Sequence, residues 1–160
     1  MEEQSVMVKE VVIGLLNRMG VESKVETSVR EGNVCVEIKG DKEGILIGKH
    51  GRTLEALQMI VNRMVNKKLK EPVRVVVDID EYRIRRATSV AKMVARVAER
   101  VKRAGKPITI GPFNAYDRRI IHVALQEDPV LRTESQGEGA VKKVAIIFQK
   151  KEGEKIGPLE

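Results

Sequence analysis

The chain has 160 residues, enough for one or two small domains, and its 42% hydrophobic and 33% charged residues are typical of a folded protein. Aromatic residues make up only 2%, which disfavours modules whose binding face is a stacking platform of Phe and Tyr. The net charge of +7 points toward polyanions, meaning nucleic acid or an anionic membrane surface, although a basic protein can also be merely soluble.

The cysteine content and the N-terminus predict a cellular compartment. The chain has one cysteine, Cys35, so an intramolecular disulfide is excluded and a reducing compartment is favoured. The acidic start, Met1-Glu2-Glu3-Gln4, lacks the apolar stretch of a signal peptide, and no apolar run approaches the roughly 20 residues of a membrane span. We therefore expect a cytoplasmic protein without membrane insertion. No cationic group or second cysteine activates Cys35, so we expect it to be structural.

The first half of the chain predicts a module with the order α-β-β-α-α-β. Helical spacing of apolar residues marks its helices, and strict alternation marks its strands. In chain order we expect a helix ending near Gly20, strands over residues 25–29 and 34–38, a short helix over 41–47, a stronger helix from about Arg52, and a strand over 73–79.

A long helix is predicted from about Glu81 to Ala104, with Ala and Val on one face. At about 100° per residue, a narrow basic stripe falls on the opposite face. The stripe consists of Arg85, Lys92, Arg96 and Arg103. It is either an ordinary solvated face or a bridge for an RNA backbone. Membrane-surface binding is less favoured, because the apolar face lacks Trp, Phe and Leu anchors.

The last part of the chain predicts a second module of one helix and three strands. Asn114 is suited to cap its helix, and Asp117 follows three residues on as a partial capping box. The strands are predicted over residues 108–110, 130–135 and 144–148.

The predicted fold class is therefore α/β (α+β), with two modules that each contain a small three-stranded sheet and helices. The predicted divisions are a first module over residues 1–80, a long connecting helix over 81–105, a second module over 106–149 and a disordered tail over 150–160.

Gly48-Lys49-His50-Gly51 has the form G-x-x-G and stands between the apolar Ile45-Leu46-Ile47 and the helix from Arg52. Glycines let a backbone approach a ligand closely, and the N–H groups at a helix N-terminus favour a phosphate. Lys49 and Arg52 add positive charge, and His50 does so when protonated. The segment thus predicts a phosphate contact. The alternative is an ordinary tight turn between packed helices.

Nucleotide hydrolysis is disfavoured at the same segment. A Walker A loop needs G-x-x-x-x-G-K followed by Ser or Thr, but Glu43 stands at the first glycine's place and His50 at the hydroxyl's. No Ser-His-Asp or paired-carboxylate pattern stands out, and the two histidines and one cysteine do not make a tetrahedral zinc site. We expect no enzyme activity, no metal and no cofactor.

A second phosphate contact is predicted on the helix of the second module. Arg118 and His122 are four residues apart and share a helix face, and Arg119 is adjacent. Together they could contact one phosphate group, the arginine through its fork and the histidine through a ring N–H. The alternative is a solvated face with a locally bonded histidine.

Both segments resemble known families. The order of elements around Ile45-Leu46-Ile47-Gly48-Lys49-His50-Gly51-Arg52-Thr53-Leu54 resembles a type II KH domain. The run from Asn114 to Leu125 resembles the core of the family named for its Arg-xxx-His motif. A KH domain followed by an Arg-xxx-His domain is similar to the bacterial Jag (SpoIIIJ-associated) family, from about Val6 to Phe148.

The resemblance implies that the loop holds the backbone of about four nucleotides, with bases in an apolar groove that would involve Ile45 and Ile47. It implies single-stranded RNA binding for post-transcriptional regulation or a chaperone-like role, linked to cell elongation, division or sporulation. Two alternatives stay open: a scaffold whose KH domain pairs with another KH protein or a second copy, and single-stranded DNA binding.

Many Jag proteins carry an extra N-terminal domain. This chain begins at the KH helix, so we do not expect roles that depend on that domain.

Overall fold

The computed structural model of the protein describes residues 2–42 and 44–149, so the predicted disordered tail at 150–160 lies outside the described residues. Backbone contacts divide the chain into two compact units, Met1–Arg86 and Ala87–Glu160. Each unit contains a three-stranded sheet with helices, which confirms the predicted mixed α/β fold. The module limits predicted from the sequence stay predictions.

The first unit places two helices on one face of its sheet. The strand order is β1-β2-β3, with β1 and β2 antiparallel and β2 and β3 parallel. Alternate strand residues, such as Val36, Ile38 and Val77, are buried against apolar residues of the two helices. The elements are α1 (Glu2–Arg18), β1 (Lys24–Arg30), β2 (Asn33–Lys39), a short 3-10 helix (Lys49–Gly51), α2 (Arg52–Lys68) and β3 (Val75–Ile79).

The short helix predicted over residues 41–47 is wrong, because the described residues of that segment form turns and a bend and no helix. The Asp41 carboxylate accepts hydrogen bonds from the backbone N–H groups of Leu46 and Ile47, each at 3.1 Å. A side chain thus replaces the carbonyl partners that a helix would supply. Gly44 has a φ of 66°, which also interrupts a right-handed helix.

The second unit contains most of the long helix predicted from about Glu81. This helix, α3, buries one apolar face in the core of the second unit: Val90, Val94, Val97, Ala98 and Val101. The sheet order is β4-β6-β5, and both pairings are antiparallel. The elements are α3 (Tyr82–Ala104), β4 (Ile108–Phe113), α4 (Ala115–Leu125), β5 (Leu131–Gln136) and β6 (Lys142–Phe148).

The predicted cap of α4 is confirmed. The side-chain oxygen of Asn114 accepts a hydrogen bond from the backbone N–H of Asp117 at 2.8 Å. This bond satisfies one of the N–H groups that a helix leaves without a partner in its first turn. It fixes the start of the helix that carries Arg118 and His122.

Replacement of Asn114 by Ala should lower the free energy of unfolding of the second unit by about 1 kcal/mol, because the capped N–H loses its acceptor. Hydrogen exchange of the α4 amides under native conditions would measure the loss. The matched control is Gln126→Ala, an exposed residue at the other end of α4, which should change stability by less than about 0.5 kcal/mol. Equal effects of the two substitutions would contradict the capping role.

Candidate nucleic-acid interface

The two glycines of the G-x-x-G segment are required by its geometry. Gly48 has a φ of 69° and Gly51 a φ of 80°, a region that side chains rarely adopt. A Cβ on Gly48 would clash with the hydroxyl oxygen of Thr53, and one on Gly51 would lie 2.7 Å from the ring of Tyr82. The turn is therefore tight on both sides. We call residues 48–52 the KH loop.

Three basic side chains of the KH loop are exposed, those of Lys49, His50 and Arg52. His50 has a φ of 55°, which lets the chain turn sharply between the glycines. Immediately before the loop, Leu46 is fully buried while Ile45 is 53% exposed. The structure thus exposes the predicted basic side chains, and three residues before the loop it exposes an apolar side chain. Ile47, between these positions in the chain, is half-buried.

The start of α2 has fewer unbonded N–H groups than the sequence suggested. The backbone N–H groups of Thr53 and Leu54 both donate to the carbonyl oxygen of Ile47, at 3.1 and 3.2 Å. Those of Gly51 and Arg52 donate to carbonyl oxygens of Gly48 and Lys49. These four donors are therefore used within the turn and are not available to a ligand.

Tyr82 links the KH loop to the first turn of α3. Its ring packs on Gly51, and the guanidinium carbon of Arg85 lies 5.9 Å from the ring centroid. The Nε of Arg85 donates to the carbonyl oxygen of Asp80 at 3.0 Å. This arrangement adds Arg85, predicted only as part of the α3 stripe, to the cations near the loop. Tyr82 was missed by sequence reasoning, because only a long-range contact reveals it.

In the second unit, Arg118 and His122 lie on the same flank of α4. Arg118 Nη1 donates to the carbonyl oxygens of Phe113 and Ala140, at 2.9 and 3.2 Å. The His122 ring bonds through Nδ1 to the hydroxyl of Thr133 and through Nε2 to that of Ser135, the latter at 3.1 Å. We call Arg118, His122, Thr133 and Ser135 the α4–β5 flank.

Thr133 and Ser135 were not singled out from the sequence, although a signal existed. Their spacing of two on the predicted strand 130–135 places both side chains on one face. The pairing of that face with His122 depends on the packing of α4 against the sheet, which the sequence does not display.

Arg119 does not join Arg118 and His122. One residue further along a helix turns the side chain by about 100°. Arg119 therefore lines a different groove, between α3 and α4, together with Tyr116 and Val123. The three basic residues do not form the single phosphate site that the sequence suggested.

Comparison with known proteins identifies a family for each of the two units. Residues 6–79 match a family described as KhpA/KhpB, KH domain, and residues 88–147 match the Arg-xxx-His domain family. A protein named RNA-binding protein KhpB from Clostridium symbiosum is 38% identical over 94% of this chain and 67% of its own length. The chain belongs to the KhpB family. The Jag resemblance stated from the sequence is thereby confirmed.

Two further KhpB relatives are more distant. The protein of that name from Bacillus subtilis (strain 168) is 30% identical over 81% of this chain, and that from Lactiplantibacillus plantarum is 29% identical over 87%. This chain spans 64% of the former and 43% of the latter. All three relatives are named as RNA-binding proteins and none as an enzyme.

In this KhpB-family chain, the four residues of the predicted basic stripe, Arg85, Lys92, Arg96 and Arg103, are exposed on α3. Lys102, on the same helix, has a partner within the fold. The Lys102 ammonium lies 2.6 Å from an Asp128 carboxylate oxygen, and this hydrogen bond raises the pKa of Lys102 and lowers that of Asp128. Lys102 thus contributes to the fold, whereas the stripe faces solvent.

Two further properties concern the part of the chain that the structure describes. No group of three or more His, Cys, Asp or Glu residues there is placed to hold a metal ion. None of the helices within residues 2–42 and 44–149 is long and apolar enough to cross a membrane.

Substitution of Gly51 by Ala should lower the free energy of unfolding by about 1–3 kcal/mol, because the added methyl meets the Tyr82 ring and the residue keeps a positive φ. Adding Tyr82→Ala to the Gly51→Ala variant removes the contact between the methyl group and the ring, but it does not remove the backbone strain at position 51. The double variant should therefore lose less than the sum of the two single losses, by about 0.5 kcal/mol or more. Urea denaturation of the four proteins measures this coupling. Strictly additive losses would argue against the Gly51–Tyr82 contact.

Proposed function

We propose that the protein binds single-stranded RNA through the KH loop and the α4–β5 flank, without catalytic activity. The observation that carries the proposal is the exposure of Lys49, His50 and Arg52 on a tight turn, with the exposed side chain of Ile45 three residues before that turn. The cations suit the RNA backbone, and the apolar side chain suits an unstacked base. The RNA-binding names of the relatives support the same function.

The α4–β5 flank is suited to a second phosphate. Both described bonds of Arg118 use Nη1, and a guanidinium has five N–H donors, so the edge formed by Nε and Nη2 can bind a phosphate in a bidentate manner. The two hydroxyls that bond the His122 ring fix its orientation. A phosphate placed there would meet a preoriented arginine edge and two hydroxyl groups.

The biological role proposed for this binding is post-transcriptional regulation or RNA chaperoning in the cytoplasm. The free thiol of Cys35 supports a reducing compartment. The Jag family resemblance supports a link to cell elongation, division or sporulation. The proposed stripe on α3, with Lys92, Arg96 and Arg103, would add phosphate contacts that do not depend on base sequence.

Changing Lys49 and His50 to Asp should weaken binding of an unstructured RNA by at least about tenfold, equivalent to about 1.4 kcal/mol. The new carboxylates repel phosphate, and Asp tolerates the positive φ at position 50, so the fold should persist. Fluorescence anisotropy over a salt series should also show a shallower dependence of log Kd on log salt, because fewer counterions are released.

The matched control is Lys68→Ala with Lys70→Asp, which removes the same formal charge, with His50 neutral, at exposed positions away from the loop. It should retain most of the affinity. Equal losses in the two variants would mean that only net charge matters and that residues 48–51 form a packing turn.

Competition with a DNA oligomer of the same sequence tests the DNA alternative, since the 2′-hydroxyl distinguishes RNA from DNA.

A protein scaffold is the second candidate function, and one observation favours it. The surface of α2 exposes Met59 by 69% and Ile60 by 47%, next to Arg63 and Met64. Adjacent exposed apolar side chains of this size are typical of protein–protein contacts. The partner proposed for this surface is a KH-domain protein or a second copy of the chain.

If a second copy binds there, Ile60→Glu should shift the protein toward the monomer, because pairing would bury the new carboxylate. Sedimentation velocity over a range of concentrations measures the effect. The control is Val6→Glu, an equally conspicuous exposed apolar residue on α1, which should leave the distribution unchanged. A parent protein that stays monomeric at every concentration would rule out the second copy.

A further inference from the structure

A groove between α3 and α4 of the second unit belongs to neither proposed phosphate site. Helix α3 contributes the small residues Ala87, Thr88 and Ala91, and α4 contributes Tyr116, Arg119 and Val123 among others. Val123 is 53% exposed, and Arg119 is exposed as well. The groove therefore presents an apolar floor, an aromatic ring and a guanidinium on one accessible surface.

The composition of the groove suits a flat and partly apolar group that belongs to an anion. The short side chains of α3 leave room beside the ring of Tyr116. Aromatic rings and arginine guanidinium planes are the two groups on which proteins stack unpaired bases. Thr88 adds a hydroxyl that can donate to or accept from a base edge. Arg119 supplies a positive charge, which favours a nucleic acid over an acyl chain or an apolar peptide.

The position of the groove on α4 points to the same ligand. Arg118 and His122 lie on one flank of the helix, whereas Tyr116 and Val123 lie on the other. Arg119 follows Arg118 by one residue and lies between the two flanks, because each residue advances by about 100°. A helix is about 10–12 Å wide, so a strand of a few nucleotides can cross it from one flank to the other.

We propose that the α3–α4 groove is a nucleobase site, which holds one unstacked base of a single-stranded RNA against the Tyr116 ring and the Arg119 guanidinium. The phosphate of the same strand lies on the α4–β5 flank. This inference rests on the proposed RNA binding and adds to it a place where a base is held outside the KH unit. It also assigns Arg119 a role separate from that of Arg118.

The test uses the full chain and an oligouridine in which one residue is 5-iodouridine, a base that crosslinks on irradiation to an aromatic ring stacked on it. Mass spectrometry of the crosslinked peptide should identify Tyr116. Tyr116→Ala should weaken binding of the unmodified oligouridine by about tenfold, the typical effect of removing one stacked base contact, whereas Tyr116→Phe should bind normally. Circular dichroism verifies that each variant folds.

A second substitution keeps the test decisive if Tyr116→Ala disturbs the core. Arg119 is exposed, so Arg119→Ala should leave the fold intact and still weaken binding, and Arg119→Lys should recover only part of the loss because an ammonium does not stack. The matched control is Gln126→Ala, an exposed change near the end of the same helix, which should bind RNA like the parent.

An abasic strand separates base contacts from backbone contacts. Tyr116→Ala and the parent should bind it equally, because no base remains to stack. An equal loss on oligouridine and on the abasic strand would overturn the nucleobase site, and so would normal RNA binding by both Tyr116→Ala and Arg119→Ala. Normal RNA binding by both variants would indicate that the groove binds a protein partner and not a base. If the parent protein binds no RNA at low salt, the proposed function itself has failed. That failure is seen in the parent alone and is therefore distinct from a failure of the nucleobase site, which is seen in the variants.

Discussion

Two carboxylates at the ends of neighbouring strands hold the segment that leads into the KH loop. Asp80 follows β3, and its carboxylate oxygens accept hydrogen bonds from the backbone N–H groups of Gly40 and Asp41, each at 3.1 Å. Asp41 follows β2, and its carboxylate in turn accepts from Leu46 and Ile47. Since β2 and β3 are parallel neighbours, their ends meet at one edge of the sheet.

The hydrogen bonds of Asp80 and Asp41 determine which side chains are exposed at the entrance to the KH loop. Hydrogen bonds to an ionised carboxylate are stronger than those between neutral groups, and here they satisfy backbone donors in a segment without regular structure. With Leu46 and Ile47 held by Asp41, the Leu46 side chain is buried in the core while that of Ile45 stays exposed. The two glycines then turn the chain into α2 and leave Lys49, His50 and Arg52 exposed on the turn. The loop is thus preorganised, which lowers the entropy lost when a ligand binds.

Periodicity was sufficient to predict most of the fold, because the buried faces of α1, α2 and α3 and the alternating strands are local patterns. The segment 41–47 was predicted wrongly because the Asp41 carboxylate, and not the carbonyl group of a preceding helical turn, accepts from the N–H groups of Leu46 and Ile47. Tyr82 and the hydroxyls bonded to His122 depend on contacts between distant residues, which no local pattern contains. The separation of Arg119 from Arg118 could have been anticipated, since helical geometry alone turns adjacent residues apart.

The two units contribute different chemistry to the proposed RNA binding. In the KH loop, the N–H groups of Gly48, Gly51 and Arg52 are used internally, so the proposed attraction comes mainly from exposed side chains that can adjust to the strand. In the α4–β5 flank, Arg118 and His122 are fixed by bonds to carbonyl and hydroxyl groups, so the geometry is set before a phosphate arrives. As proposed, neither of these two arrangements contacts the edge of a base, and only Thr88 of the groove is suited to do so. Stacking on a ring tolerates every base because each has a π-face. The proposed binding places unstacked bases against Ile45, which precedes the KH loop, and against Tyr116 in the proposed groove. The protein should therefore discriminate single strands from duplexes more strongly than it discriminates one sequence from another.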